Sequence, residues 1–434
     1  MARPTDRRRP VRRVAIACQG GGSHTAFTAG VLGRLCSAVV DTHEIVGLSG
    51  TSGGAVCALL AWYALRDGDP AAVGRLLGEF WADNSASSPW EQLFNASTML
   101  AGDLQQVVAM PAISPYDNFL ADSAAEEFKA MLWRRVDFDR VEPGPEQPVL
   151  MIGAVDVLSG EFRAFDSRSD RISADTVLAS AAIPTLFRAV PVGDGTFWDG
   201  LFSQNPPIRE LVDLRPDEIW VIQINPTRRD VEPRTVLDIG DRRNELAGNL
   251  SLYQELHFVE KIDEWLEAGV LAEDAGYKSI VVRIVELSRS RVRWSLSARS
   301  KLNRDPAFIR DLIAHGQEQA DEFLTALAFE RAWREQDSEA VRSFFADDVE
   351  LSSTAPFLEA EPTRGVSHGS AFIDEHLMRA VIDLTRKQVA RDRVTWTVKK
   401  TSEGSGARTQ GRVEIAIAAG RITSLTIGPS TYDG

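Results

Sequence analysis

The chain has 434 residues, 44% of them apolar and 25% charged, with a formal net charge of −14. That is enough apolar chain for a conventional core, and it excludes global disorder; the acidic body argues against broad nucleic-acid binding. Three cysteines, Cys18, Cys36 and Cys57, have no metal-like spacing and fit reduced thiols in a cytoplasmic protein.

Residues 1–10 read as a basic flexible tail, and Arg3, Arg7, Arg8, Arg9, Arg12 and Arg13 make the start of the chain as basic as the rest is acidic. Two readings stand open for it: peripheral contact with anionic lipid head groups, or a solvated leader with no partner, the blander of the two. No stretch approaches the roughly 20 apolar residues of a membrane span. Val11–Cys18 is β-prone, Gln19 and three glycines follow, and Ala26–Val40 is helical in pattern. The apolar run from Glu44 passes through a small-residue turn into an Ala- and Leu-rich helix. Two successive strands that each feed a helix predict an α/β fold, a mainly parallel sheet sandwiched by helices.

Farther on, Ala71–Ala82 is amphipathic, and the large apolar residues between Asp83 and Pro115 (Pro89, Trp90, Phe94, Met99, Leu100, Met110, Pro111) suggest either a cap over a greasy cleft or a loop packed on the core. Glu142–Pro148 is a connector; Val149–Val155 and Glu161–Phe165 form a strand pair; Ser173–Ala182 is a helix ended by Ile183-Pro184. Thr196–Trp198 is a brief strand before Asp199-Gly200, Glu218–Ile224 a buried strand, Glu245–Ala268 helical and Ser279–Ile284 a strand. Leu287–Pro306 is polar and Arg-rich and reads as an exposed loop. After about Phe323 the pattern changes to helices over Leu324–Gln336 and Asp337–Ala346, then strands that alternate at Val394/Trp396/Val398, Val413/Ile415/Ile417 and Ile422/Leu425/Ile427. The expected division is residues 11–326 and a small α+β domain over 327–434.

The chemistry concentrates in three places. Gly50-x-Ser52-x-Gly54 has the spacing of a nucleophile elbow, in which a serine on a sharp strand-to-helix turn is pushed out of the sheet and needs small neighbours. The Gly53 N–H and the positive end of the next helix then face a developing oxyanion. Gly20, Gly21 and Gly22 form a second unobstructed group of backbone N–H donors. Asp199, in an Asp-Gly turn, is a candidate general base if it lies within reach of the Ser52 hydroxyl and is desolvated. The competing histidine triad finds poor support. His257 and His315 sit within helices and read as surface or packing residues, His24 lies on the glycine loop as a local structural or electrostatic contributor, and His43, His368 and His376 complete the six histidines.

Cys18–Leu32, Gly50-Thr-Ser-Gly-Gly54, Ala179-Ser-Ala-Ala-Ile-Pro184 and Trp198-Asp-Gly200 resemble the four blocks of a patatin-like phospholipase domain, in that order, over roughly residues 11–325. The resemblance implies a Ser52–Asp199 dyad, an oxyanion hole from Gly20, Gly21, Gly22 and Gly53, an acyl-serine intermediate, a lipid or other ester substrate, and no cofactor or metal. Two departures bear on substrate and rate. His24 and Thr25 stand where the family usually carries Arg and Gly, and Leu201 follows Asp199-Gly200 where Gly or Ala is usual.

Residues 327–434 resemble the polyketide-cyclase-like branch of the nuclear-transport-factor-2-like fold, through Ala332-Trp333, Asp337, Phe344–Leu351 and the final strands from Gly420. Asp347 and Asp348 read there as loop structure, and ligand capture or a homodimer through this domain as its role. The leading expectation is a serine acyl hydrolase in the cytoplasm or at a membrane periphery. A catalytically weak acyl-binding protein and a polyketide-cyclase-like activity in the tail domain are the alternatives.

Overall fold

The computed structural model describes residues 11–88, 91–92, 95, 114–184, 186–272, 274, 276–355, 360–366, 369, 372–378, 382–390, 393–401 and 408–429. The tail over 1–10, Pro89, Trp90, Phe94, Met99, Leu100, Met110 and Pro111 of the cap-or-loop segment, and His368 lie outside them, as does the side chain of His376.

The first strand, β1 (Arg12–Cys18), pairs in parallel with β2 (His43–Thr51) on one side and β7 (Glu218–Gln223) on the other. β3 (Val149–Asp156) extends the parallel run beyond β2, and β8 (Val281–Glu286) extends it beyond β7. Antiparallel strands finish the β3 side: β4 (Phe162–Asp166) and β6 (Gly195–Asp199) both pair with β3, and β5 (Val190–Val192) pairs with β6. This is the mainly parallel α/β sheet expected from two strands that each run into a helix.

Strand periodicity divides the core into two layers. Val14, Ile16, Leu48, Leu150, Trp220 and Ile222 face the helices α1 (Ala26–Ala38), α2 (Gly53–Arg66) and α3 (Ala72–Asn84). Ala15, Ala17, Val46, Met151, Ile219 and Val221 face the opposite layer, where Leu252, Leu256 and Val259 contribute the inner stripe of a long helix, Val236–Glu267. That helix starts nine residues before the apolar pattern at Glu245 suggests. Its first turn is set by a cap instead, the Thr235 hydroxyl accepting from Asp238 N–H at 3.1 Å.

A 29-residue helix, Pro306–Arg334, begins at an Asp305 cap with Pro at its first position. Phe308 and Leu312 pack in the first core; Phe323 meets Trp220 edge-on at 5.1 Å; Phe329 meets Phe345 at 5.7 Å, inside the carboxy-terminal part. The boundary expected at 326–327 therefore falls within a continuous helix. Strands β9 (Phe345–Ser353), β10 (Ala360–Arg364), β11 (Ile382–Ala390), β12 (Arg393–Thr401), β13 (Arg408–Ala418) and β14 (Arg421–Pro429) follow. β11 to β14 form an antiparallel series, closed on one side by β9 and β10 and continuing the first sheet where β11 lies parallel to β8. The Ala419-Gly420 hairpin has both residues at positive φ, as a tight two-residue turn requires. The second helix expected over Asp337–Ala346 is only Ser338–Ser343, because Phe345 already belongs to β9; Asp347 and Asp348 stand exposed on that strand.

Among the described residues no helix is long and apolar enough to cross a membrane.

Candidate active site

β2 ends at Thr51 and α2 begins at Gly53, leaving Ser52 as a one-residue turn at φ 57, ψ −131. A non-glycine residue in that region is strained, at a cost of order 1–3 kcal/mol, and persists only where its surroundings fix it. Two features do so. A Cβ on Gly50 would come within 2.4 Å of the Gly54 carbonyl oxygen, and one on Gly54 within 2.3 Å of the Cys18 carbonyl oxygen, so no larger side chain fits on either side of the serine. The Ser52 N–H donates to Ser180 Oγ at 2.9 Å, and that hydroxyl donates to the Gly153 carbonyl at 2.6 Å, tying the elbow to β3 through the helix Ala174–Ala181.

Asp199 is the last residue of β6, opposite Ala154 of β3, and is 1% exposed. Its Oδ1 accepts from Leu201 N–H at 2.8 Å, and the Ser52 side chain is near enough to favour the ionised carboxylate. Burial pushes its pKa up to about 6, against the lowering effects of the Leu201 N–H, the Ser52 hydroxyl and the positive charge of Lys301. A carboxylate so placed is ionised at neutral pH yet basic enough to take a proton. The two residues singled out by motif spacing thus meet in one site.

The glycine loop lies beside them. Gly20 approaches the elbow so closely that a Cβ there would be 2.9 Å from the Ser52 Cβ, and its N–H donates to Asn205 Oδ1 at 2.7 Å. Gly22 adopts φ +55, and its carbonyl accepts from the Thr25 hydroxyl at 2.6 Å. A Cβ on Gly53 would lie 2.2 Å from that Thr25 Oγ1, so the loop and the start of α2 are in contact. Gln19, fully buried, holds the base of the loop: its Oε1 accepts from Ile224 and Asn225 N–H, and its Nε2 donates to the Gly248 carbonyl and Asn249 Oδ1.

The histidines stand aside. His24 is buried and turned towards Ser300, Nε2 to Oγ 2.8 Å, with its ring edge-on to Phe308. Burial, with Lys301 and Arg289 adding to it, lowers its pKa well below the usual value, so it is a neutral ring. His257 is exposed on the Val236–Glu267 helix, and His315 packs against Phe27.

The expectation that Leu287–Pro306 is an exposed loop is wrong. Leu287, Leu296, Ser300 and Asn303 are buried, and the short turn Arg299–Leu302 packs on the glycine loop. Its polar side chains mislead because they serve buried partners: Lys301 Nζ donates to Asn225 Oδ1 at 2.9 Å and Asn244 Oδ1 at 2.6 Å, and Ser300 receives His24. Lys301 was not singled out by its sequence. A lone Lys in an Arg-rich stretch carries no signal; only its tertiary partners distinguish it.

No curated protein matches the chain. Solved structures similar to it include an NTF2-like protein of unknown function from Mesorhizobium loti (17% identity, 25% of this chain and 91% of that one, TM-score 0.23). A putative polyketide cyclase from Sinorhizobium meliloti (20% identity, 24% and 92%, TM-score 0.21) and a putative ketosteroid isomerase from Kribbella flavida (18% identity, 26% and 82%, TM-score 0.22) are also similar. Residues 16–212 match the patatin-like phospholipase family. That stretch, just under half of the chain, runs from β1 past the glycine loop, the Ser52 elbow and Asp199, and is similar to patatin-like phospholipases.

Proposed function

We propose that the chain is a serine hydrolase of lipid-like carboxylic esters, with Ser52 as nucleophile and Asp199 as general base. The observation that carries this reading is the strained elbow at Ser52, which stands beside the buried carboxylate of Asp199, whose pKa is raised. Asp199 accepts the hydroxyl proton as Ser52 Oγ attacks the ester carbonyl carbon. The tetrahedral oxyanion forms against the N–H groups of Gly21, Gly22 and Gly53, at the positive end of α2. Gly20, whose N–H is held by Asn205, shapes the loop instead. Collapse expels the alcohol, which takes the proton from Asp199 and leaves an acyl-serine; water, activated by the same carboxylate, then hydrolyses that ester and frees Ser52. Peripheral docking at a membrane fits such a substrate and is part of the same proposal.

The test is mass spectrometry of the protein after treatment with a fluorophosphonate, beside hydrolysis of fatty-acyl nitrophenyl esters. A single adduct on the Ser52 peptide, absent in Ser52→Ala and formed at least about 100-fold more slowly in Asp199→Asn, is expected. A folded wild-type protein that takes no adduct, or takes it on another serine, would overturn the reading.

A further inference from the structure

One short segment, from Asp199 to Asn205, reaches every part of the site. Behind Asp199, Ser203 Oγ donates to the carbonyl of Ala154, the residue of β3 that pairs with Asp199, at 3.1 Å. The Gln204 carbonyl accepts from the Thr51 hydroxyl at 2.6 Å, and Thr51 immediately precedes Ser52. Asn205 Oδ1 then accepts from the Gly20 N–H at 2.7 Å. Base, elbow and glycine loop are therefore each joined to the same stretch of chain by a contact of normal length.

The glycine loop depends on such outside holds. Glycine has little conformational preference of its own, so three in a row do not fix the direction of their N–H groups. At the start of the loop a closed circuit of hydrogen bonds does so. Gln19 Nε2 donates to the Gly248 carbonyl at 3.0 Å, and Asn205 Nδ2 reaches the same carbonyl at 3.4 Å. Asn205 is fully buried, and its own N–H donates to the Ser251 hydroxyl at 3.0 Å. Because the peptide group is planar, a fixed acceptor on the Gly20 N–H sets the plane from which the loop continues. Farther along, the Gly21 carbonyl accepts from the His24 N–H at 3.2 Å and the Gly22 carbonyl from the Thr25 hydroxyl at 2.6 Å. Among the described residues nothing accepts from the N–H of Gly21 or Gly22.

We propose that Asn205 is a positioning residue of the oxyanion loop: by taking up the Gly20 N–H beside the Thr51–Gln204 contact, it keeps the Gly21 and Gly22 N–H groups turned to the ester oxygen at Ser52. The inference rests on the Ser52–Asp199 reading above. Asparagine suits the task because the buried position needs an acceptor towards Gly20 and a donor towards Gly248. Leucine, of similar size, supplies neither, whereas aspartate keeps the acceptor. The distance between base and oxyanion loop is then set by one segment, since both are attached to it.

The experiment compares hydrolysis of a fatty-acyl nitrophenyl ester with that of the matching thionoester, whose C=S sulfur is a weak acceptor and draws little from an oxyanion hole. Wild type, Asn205→Leu, Asn205→Asp and Ser251→Ala are measured, with folding followed by circular dichroism. Asn205→Leu is expected to lower kcat on the ester about 100-fold with KM little changed, and to lower kcat on the thionoester far less. Asn205→Asp recovers most of the ester rate. Ser251→Ala loosens Asn205 from outside the site and gives a smaller loss confined to the ester, which decides the question where Asn205→Leu does not fold. Equal losses on the two substrates, no loss in the folded variants, or an Asn205→Asp no better than Asn205→Leu would reduce Asn205 to packing and overturn the proposal alone. A wild-type protein with neither ester hydrolysis nor a fluorophosphonate adduct at Ser52 would overturn the dyad reading, and this inference with it.

Discussion

Two carboxylates of the same sheet are buried to the same extent and behave in opposite ways. Glu218, first residue of β7, and Asp199, last residue of β6, are each 1% exposed. Burial pushes both upward, but around Glu218 it is overwhelmed. Arg283 donates through Nε at 2.6 Å and Nη2 at 3.1 Å, Trp220 through its indole N–H at 2.8 Å and Arg12 at 2.5 Å, and these hold Glu218 well below the usual carboxylate range. Asp199 receives one backbone N–H, feels only smaller influences from Ser52 and Lys301, and rises to about 6. Desolvation is common to both; the number of charged donors decides which carboxylate is structural and which can exchange a proton.

Removing the structural partner should break that contrast most severely. Glu218→Gln leaves fully buried Arg283 with Glu330 alone, and is expected to cost about 3 kcal/mol or more, read as a fall in the urea midpoint with an unchanged slope. Labelling of Ser52 in the protein that remains folded should be unaffected.

Asp199→Asn should do the reverse. The folded-state pKa of this acid lies above its ordinary value of 3.8, so the folded state holds its proton more tightly than the unfolded chain. Ionised Asp199 therefore costs stability. The cost is absent below about pH 3.8, grows as pH rises to about 6, and is complete above it. Asp199→Asn is expected to gain up to about 3 kcal/mol at pH 8 and to lose that advantage by pH 4, followed by thermal melting across that range.

The smallest of the three effects concerns Ser180. Ser180→Ala leaves the buried Ser52 N–H and the Gly153 carbonyl each without this partner, at about 1–2 kcal/mol, and should slow labelling because the elbow is less firmly held. Equal labelling rates for Ser180→Ala and wild type would show that Gly50 and Gly54 alone hold the serine.

What was legible in the sequence follows the range of the interactions. The elbow is made by residues within two positions of Ser52, and the clashes at Gly50 and Gly54 are written in their spacing. The strand–glycine–helix order and the alternation on β13 and β14 are equally local, so the parallel sheet and the terminal hairpin could be read directly. Ser180 lay within a recognised block without a visible role, because its acceptor and donor partners belong to other elements. Lys301, Asn225 and Asn244 come from three separated stretches, and no periodicity links them. For Lys301 polarity even pointed the wrong way, towards solvent, since sequence does not distinguish a polar residue that is hydrated from one whose partners are buried.

The helix Pro306–Arg334 has a consequence for how the molecule holds together as a unit. Its first turns complete the packing over α1, its Glu330 answers Arg283 inside the sheet, and its last turns supply Phe329 and Trp333 to the carboxy-terminal core. A chain cut at the boundary its sequence suggests would leave Arg283 in one fragment with Glu218 but without Glu330, and the other with Phe329 and Trp333 on a helix that has lost the turns packed over α1. Neither fragment would keep its native cooperativity, and loss of order at either end of this helix would be felt at the other.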